Sequence, residues 1–256
     1  MQSHSCIPSW EPTANAVAPM HALEGRRVLG VLGGMGPAAT SYFFDELVRH
    51  TLASCDQEHV DAIVMNHASM PDRTTAIKEG RSESAIALLQ HDARLLESMG
   101  AGVIAIPCNT SHSWIGRVQE AVQADVINMI AETALEAVHV REAHAVGIMA
   151  TDGTLRMGLY AKAIEQLGAR AVLPEEQTQA NIMSLIYDEV KAGKPCTPEL
   201  FEGAVAEFLN KGCDCVILGC TELSVYKRDY GMSPCCLDAF DILVRESIIR
   251  CGGVYQ

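Results

Sequence analysis

The stretches Gly102-Val103-Ile104-Ala105-Ile106-Pro107-Cys108-Asn109-Thr110 and Cys215-Val216-Ile217-Leu218-Gly219-Cys220-Thr221-Glu222 share one grammar. Each is an apolar run of strand length that stops at a cysteine, followed by a small polar residue and then helix-like sequence. A cysteine so placed sits at the carboxyl end of a strand and close to a helix N-terminus. Open α/β sheets bind ligands on that side, and a helix N-terminus favours a thiolate over a thiol. Two such cysteines in matching frames, about half a chain apart, suggest a pair facing each other across one pocket.

The sequence around each cysteine repeats the same order. In the first half, Val28–Leu32 reads as a buried strand ending at Gly33-Gly34-Met35-Gly36-Pro37, with a helical pattern over 38–53. A strand over 60–66 opens into Ser69-Met70-Pro71-Asp72-Arg73-Thr74, and a helix over 84–99 stops at Gly100 before the Cys108 strand. In the second half a strand over 144–150 ends at Thr151-Asp152-Gly153-Thr154, and a strand over 169–173 precedes Pro174-Glu175-Glu176-Gln177. Helices over 179–192 and 198–211 lead to the Cys220 strand. Strands alternating with helices of this length predict an α/β fold of mostly parallel sheets flanked by helices. The repetition predicts two similar, pseudo-duplicated lobes with the active site in the cleft between them. The first lobe is expected over 27–128 together with 237–256, returning through Cys235–Asp238 and a helix over 239–250. The second lobe is expected over 129–236, and residues 1–26, with Pro8, Pro12 and Pro19, read as a loose extension.

The bulk composition narrows the function class. A chain of 256 residues, 48% hydrophobic and 20% charged, suits an ordinary globular enzyme with a proper core. A net charge of -13 and a pI near 5.1 argue against nucleic acid or an anionic membrane as partner, since phosphate binding needs clustered Lys and Arg. Ten cysteines appear without any Cys-x-x-Cys, and neither Cys213-Asp214-Cys215 nor Cys235-Cys236 has zinc spacing. They read as reduced thiols, and no metal site is expected. Arg26-Arg27 precedes an apolar run that breaks too early, at Gly33-Gly34, for an export signal, so the cytoplasm is the expected location.

Other motifs carry a bland reading beside a chemical one. Gly30-x-x-Gly33-x-x-Gly36 lacks the dinucleotide spacing, and the second strand ends in Asn66-His67 where a ribose-binding acid belongs. A tight turn admitting a small ligand fits better. His112, one turn after Cys108, is either a packing residue or half of a thiol hydrolase pair. Arg73 and Lys191 are either solvated surface charges or, in a pocket for an acidic substrate, carboxylate ligands. Asp72 and Glu222 are either helpers that tune a thiol or acids that favour a helix N-terminus.

Six motifs together carry a resemblance. Leu32-Gly33-Gly34-Met35-Gly36-Pro37, Pro71-Asp72-Arg73-Thr74, Pro107-Cys108-Asn109-Thr110-Ser111-His112, Ala150-Thr151-Asp152-Gly153-Thr154, Val190-Lys191-Ala192-Gly193 and Gly219-Cys220-Thr221-Glu222-Leu223 are one such set. In register, they resemble the cofactor-independent aspartate/glutamate racemase family, most closely its aspartate racemase branch. The glutamate branch typically has Asp-Ser-Gly in the first loop and Thr-His after the second cysteine, where this chain has Leu-Gly-Gly and Thr-Glu. The resemblance implies two α/β lobes, a homodimer, no cofactor and an acidic amino acid as substrate. It implies that Cys108 and Cys220 are the acid/base pair. Asn109, Thr110 and Thr221 fall where the α-carboxylate binds, Ser111 is a further substrate-binding residue, and Arg73 and Lys191 match the holders of the side-chain carboxylate. Met35 and Thr151 line the cleft, and Asp72 and Glu222 are auxiliary acids near the thiols. Other readings of the same scaffold are a hydantoin racemase, a maleate isomerase, a decarboxylase, or a non-catalytic amino-acid binding protein.

Overall fold

The computed structural model describes Met20, Ala22 and residues 25–256, so the extension expected over 1–26 lies almost wholly outside the described residues. In chain order the first half runs β1 (Val28–Gly33), α1 (Pro37–His50), β2 (Ala62–Asn66), α2 (Arg73–Lys78), α3 (Ser82–Ser98), β3 (Ala101–Ala105), α4 (Ile115–Gln119) and β4 (Asp125–Val126). The second half runs α5 (Met129–Leu135), β5 (Ala145–Ala150), α6 (Asp152–Met157), α7 (Leu159–Gln166), β6 (Arg170–Val172), α8 (Glu176–Ser184) and α9 (Pro198–Asn210). It closes with β7 (Cys215–Gly219), α10 (Thr221–Tyr230), β8 (Cys236–Asp238) and α11 (Ala239–Arg250).

Two four-stranded sheets form, ordered β2-β1-β3-β4 and β6-β5-β7-β8, with every pairing parallel. The strands β1 and β5 are buried on both faces, which is why they (VLGVLG and AVGIMA) read as unbroken apolar runs and not as alternating ones. One face of each sheet enters a shared core. Leu29, Val31, Val103 and Ala105 meet Val146, Ile148, Cys215 and Ile217 around Phe240 and Leu243 of α11. The opposite faces are covered separately, by α3 (Ile86, Leu89, Leu96) in the first half and α9 (Phe201, Val205, Phe208) in the second.

A glycine sits third in β1 and third in β5, and the reason is the same twice. A Cβ on Gly30 would lie 2.9 Å from Ala101 Cβ and 3.1 Å from Leu96 Cβ, and one on Gly147 would lie 2.6 Å from the Phe208 ring. The missing side chains let the outer helices lie directly on the sheets.

The predicted elements differ from the observed ones in places that bear on the site. The helix predicted over 179–192 is α-helical only to Ser184 and continues as a π-helical turn, Leu185–Val190. The helix predicted over 38–53 ends at His50, and α2 and the two-residue β4 escape sequence reading because each is too short to show a period. β8 pairs with β7, so Leu237 and Asp238, expected in the first lobe, lie in the second sheet, and α11 packs against both halves, on α1 and β3 and on α5 and β7.

In both sheets the chain order reverses between the two middle strands, so the loops after β1 and β3, and after β5 and β7, bracket a switch-point crevice. The two crevices face each other.

Candidate active site

One cleft between the halves is built from the carboxyl ends of these strands. The loop after β1 supplies Met35, the segment after β2 supplies Asp72, Arg73 and Thr74, and that after β3 supplies Cys108, Asn109 and Thr110. From the other side come Thr151 after β5, Tyr187 and Lys191 on and just beyond the π-helical turn, and Cys220, Thr221 and Glu222 after β7. The cleft between these walls is narrow, with about 270 Å3 of space.

Local structure explains each placement. Asp72 caps α2, its Oδ1 accepting from Thr75 N at 2.8 Å, and this puts Arg73 at the first helical position, facing inward and only 7% exposed. Thr151 caps α6 by accepting from Thr154 N. Cys220 is the residue before α10, with an extended backbone, and it lines the cleft. The two halves are stitched across the cleft by Thr110 Oγ1 with Thr151 Oγ1 (3.1 Å) and by Lys78 Nζ with Asp152 Oδ2 (2.6 Å). Tyr187 Oη completes the stitching by donating to Asp72 Oδ2 at 3.3 Å. Gly153 is what allows this approach: a Cβ there would lie 2.9 Å from Thr74 Oγ1 and 3.1 Å from Thr110 Cγ2.

Two residues singled out from sequence sit elsewhere. Ser111 is fully buried on the turn Thr110–Trp114 and donates to Met35 Sδ at 3.3 Å, so it supports the cleft wall without lining it. His112 places Nδ1 2.9 Å from the carbonyl oxygen of Cys108 and Nε2 3.4 Å from that of Ile127. Burial pushes its imidazolium pKa down, so it is a neutral packing residue bonded to backbone and not to the thiol.

Comparisons with known proteins agree with this geometry. The family model for Asp/Glu/hydantoin racemase matches residues 32–246. The chain belongs to that family. Similar solved structures include the aspartate racemase of Picrophilus torridus, 27% identical with a TM-score of 0.76, covering 90% of this chain and 96% of that one. An aspartate racemase homologue from Pyrococcus horikoshii has the same fold, with a TM-score of 0.71 at 23% identity over 89% of this chain and 99% of that one. Among curated relatives, the broad specificity amino-acid racemase RacX of Bacillus subtilis is 24% identical over 77% of this chain and 86% of its own length. The chain is an amino-acid racemase, hence an isomerase.

The electrostatics of this racemase are set by burial against paired charges. Burial pushes the Cys220 thiol well above its ordinary value, and the Glu222 carboxylate adds to this, while Lys191 opposes it. This reverses the helix-terminus expectation for Cys220. Sγ donates to Glu222 Oε2 at 2.8 Å, so the nearest charge is the carboxylate and the helix dipole is the weaker effect. Burial alone would lower Lys191 and Arg73. The Glu222 carboxylate and the Cys220 sulfur beside it hold Lys191 above the ordinary lysine range, and the Cys108 sulfur and the Asp72 carboxylate do the same for Arg73. Burial opposes ionisation of Asp72, but hydrogen bonds from Thr75 and the neighbouring Lys191 and Arg73 outweigh it and keep its pKa low.

Sequence reasoning missed Thr74, Tyr187 and Tyr160. Lys191 Nζ lies 4.1 Å from the centre of the Tyr187 ring. Its spacing of four from Lys191 on a helical stretch was the available signal. Tyr160 Oη donates to Asn109 Oδ1 at 2.5 Å, a contact between halves that no local pattern announces. Among the described residues no group of three or more His, Cys, Asp or Glu is arranged to hold a metal ion, and no helix is long and apolar enough to cross a membrane.

Proposed function

We propose that this racemase interconverts L- and D-aspartate without pyridoxal phosphate, with Cys108 and Cys220 as its acid/base pair. The observation that carries the reading is a pair of cysteines lining one cleft, each following the equivalent strand of its own sheet. One thiolate takes the α-proton and the opposing thiol returns a proton to the other face; for the other enantiomer the roles exchange. Cys220 starts as a thiol, and Glu222 Oε2 is the acceptor to which its proton passes when it must act as base.

Asn109, Thr110 and Thr221 hold the α-carboxylate, where the charge of the carbanion-like transition state gathers. Arg73 and Lys191 hold the side-chain carboxylate. Arg73 spends Nη1 on the carbonyls of Met70 and Pro71, while its Nε is buried without a partner and free for a ligand. Met35 and Thr151 close the cleft around the α-carbon, and Asp72 balances the two cations. The likeness to the Picrophilus aspartate racemase supports aspartate over glutamate, which is longer by one methylene.

We take the enzyme to work in the cytoplasm as a homodimer. Exposed Phe44 and Val48 on one face of α1, continued by Leu52 and Val254, offer an apolar patch suited to a second copy. The lobes are taken to meet at 128/129 and, with β8 in the second sheet, just after Asp238. Incubating pyridoxal-free protein with L- or D-aspartate and following loss of circular dichroism tests the proposal; no loss from either enantiomer overturns it.

A further inference from the structure

Asn109 has one half of its amide satisfied and the other half bare. Its Oδ1 accepts from Tyr160 Oη, while its Nδ2 is buried, has no partner, and belongs to a residue that lines the cleft. A buried unpartnered N–H is costly unless something fills its place. Tyr160 is itself held rigidly. It is 1% exposed on α7, and its ring packs so closely on Gly219 that a Cβ there would lie 2.8 Å from Cε2. The phenol therefore stands between the two cysteine loops, against Gly219 before Cys220 and bonded to Asn109 after Cys108.

We propose that Tyr160 is a positioning residue: by fixing Oδ1 of Asn109 it turns the amide N–H groups toward the substrate α-carboxylate, and it ties that orientation to the second lobe. An unheld amide presents its oxygen to the carboxylate as readily as its nitrogen, and an oxygen there repels the charge that builds during proton removal. The phenol is suited to the task because burial keeps it protonated, so it acts only as a donor to Oδ1. This inference rests on the reading of the cleft given above.

The test is steady-state racemisation of aspartate by the whole chain and by Tyr160→Phe, Asn109→Ala and the double variant, with a thermal melt of each. Tyr160→Phe keeps the ring and its packing. The expected result is a drop in kcat/KM of about ten-fold in each single variant, with the double variant no worse than Asn109→Ala. Additive losses, or an unchanged kcat/KM in Tyr160→Phe beside an active wild type, overturn the assignment. A wild type inactive on aspartate instead overturns the substrate reading. The amide is then read from calorimetric binding of succinate: about ten-fold weaker binding in both single variants supports its role. Equal binding by Tyr160→Phe, or none by the wild type, ends it.

Discussion

Glu222 holds the Cys220 thiol by its proton: Sγ donates to Oε2 across 2.8 Å in a site where both residues are buried. Lys191 Nζ lies 3.8 Å from the other carboxylate oxygen, so the three groups form a chain from solvent-side cation to sulfur. A thiol bonded to a carboxylate resists ionisation, both because it is desolvated and because its thiolate would face a like charge.

Removing that charge is expected to lower the Cys220 pKa. In Glu222→Gln, set in a Cys108→Ser background, Cys220 should become reactive at lower pH than with Glu222 present. Iodoacetamide labelling across pH 7 to 10, read on the Cys220 peptide by mass spectrometry, follows the shift. Unchanged or higher-pH labelling removes Glu222 from the proton's path.

Each thiol should be separately indispensable. Cys108→Ser and Cys220→Ser are expected to lose ~10²–10⁴-fold in racemisation rate, the usual worth of an acid/base group. In deuterated solvent the wild type should place label mainly in the product enantiomer at early times, because the two faces are served by different sulfurs. Label appearing equally fast in recovered substrate would falsify the two-base scheme.

The closeness of the halves depends on Gly153. Gly153→Ala puts a methyl group into Thr74 and Thr110, backbone included, so α6 must move off α2. The expected outcome is a destabilisation of about 1–3 kcal/mol, in the range of overpacked sites, with a raised KM for aspartate. Urea unfolding and steady-state kinetics on one preparation check both.

Buried thiols give the fold an alkaline limit. Burial pushes Cys215 up to about 11 and Cys236 and Cys251 up to about 12, against about 9 when unfolded. Because these folded values are raised, their contribution is complete below about pH 9 and is lost as pH rises through the folded pKa. Each such thiol removes about 1.4 kcal/mol of stability per pH unit over that interval. Urea midpoints should therefore fall steeply from pH 9 to 11, and less steeply in Cys251→Ala. Flat midpoints across that range contradict the burial.

Periodicity and strand-ending motifs made the alternation of strands and helices legible, including both cysteine strands and the helix of Ala239–Arg250, because long apolar runs and capped helices leave local signatures. Short elements left none. α2 spans six residues and is fixed by the Asp72 cap, and β8 joins the second sheet only because β7 offers it an edge.

The sequence by itself determined that two α/β halves would each end a buried strand in a cysteine, since apolar patterning and the residues that follow are properties of adjacent positions. Only the tertiary structure decided which way the neighbours turn. Ser111 leaves the cleft wall, Tyr187 and Tyr160 join the site, and Glu222 overrides a helix end at Cys220. Those outcomes depend on which groups of the opposite half lie within hydrogen-bonding reach, and distance across a cleft is written in no local stretch of chain.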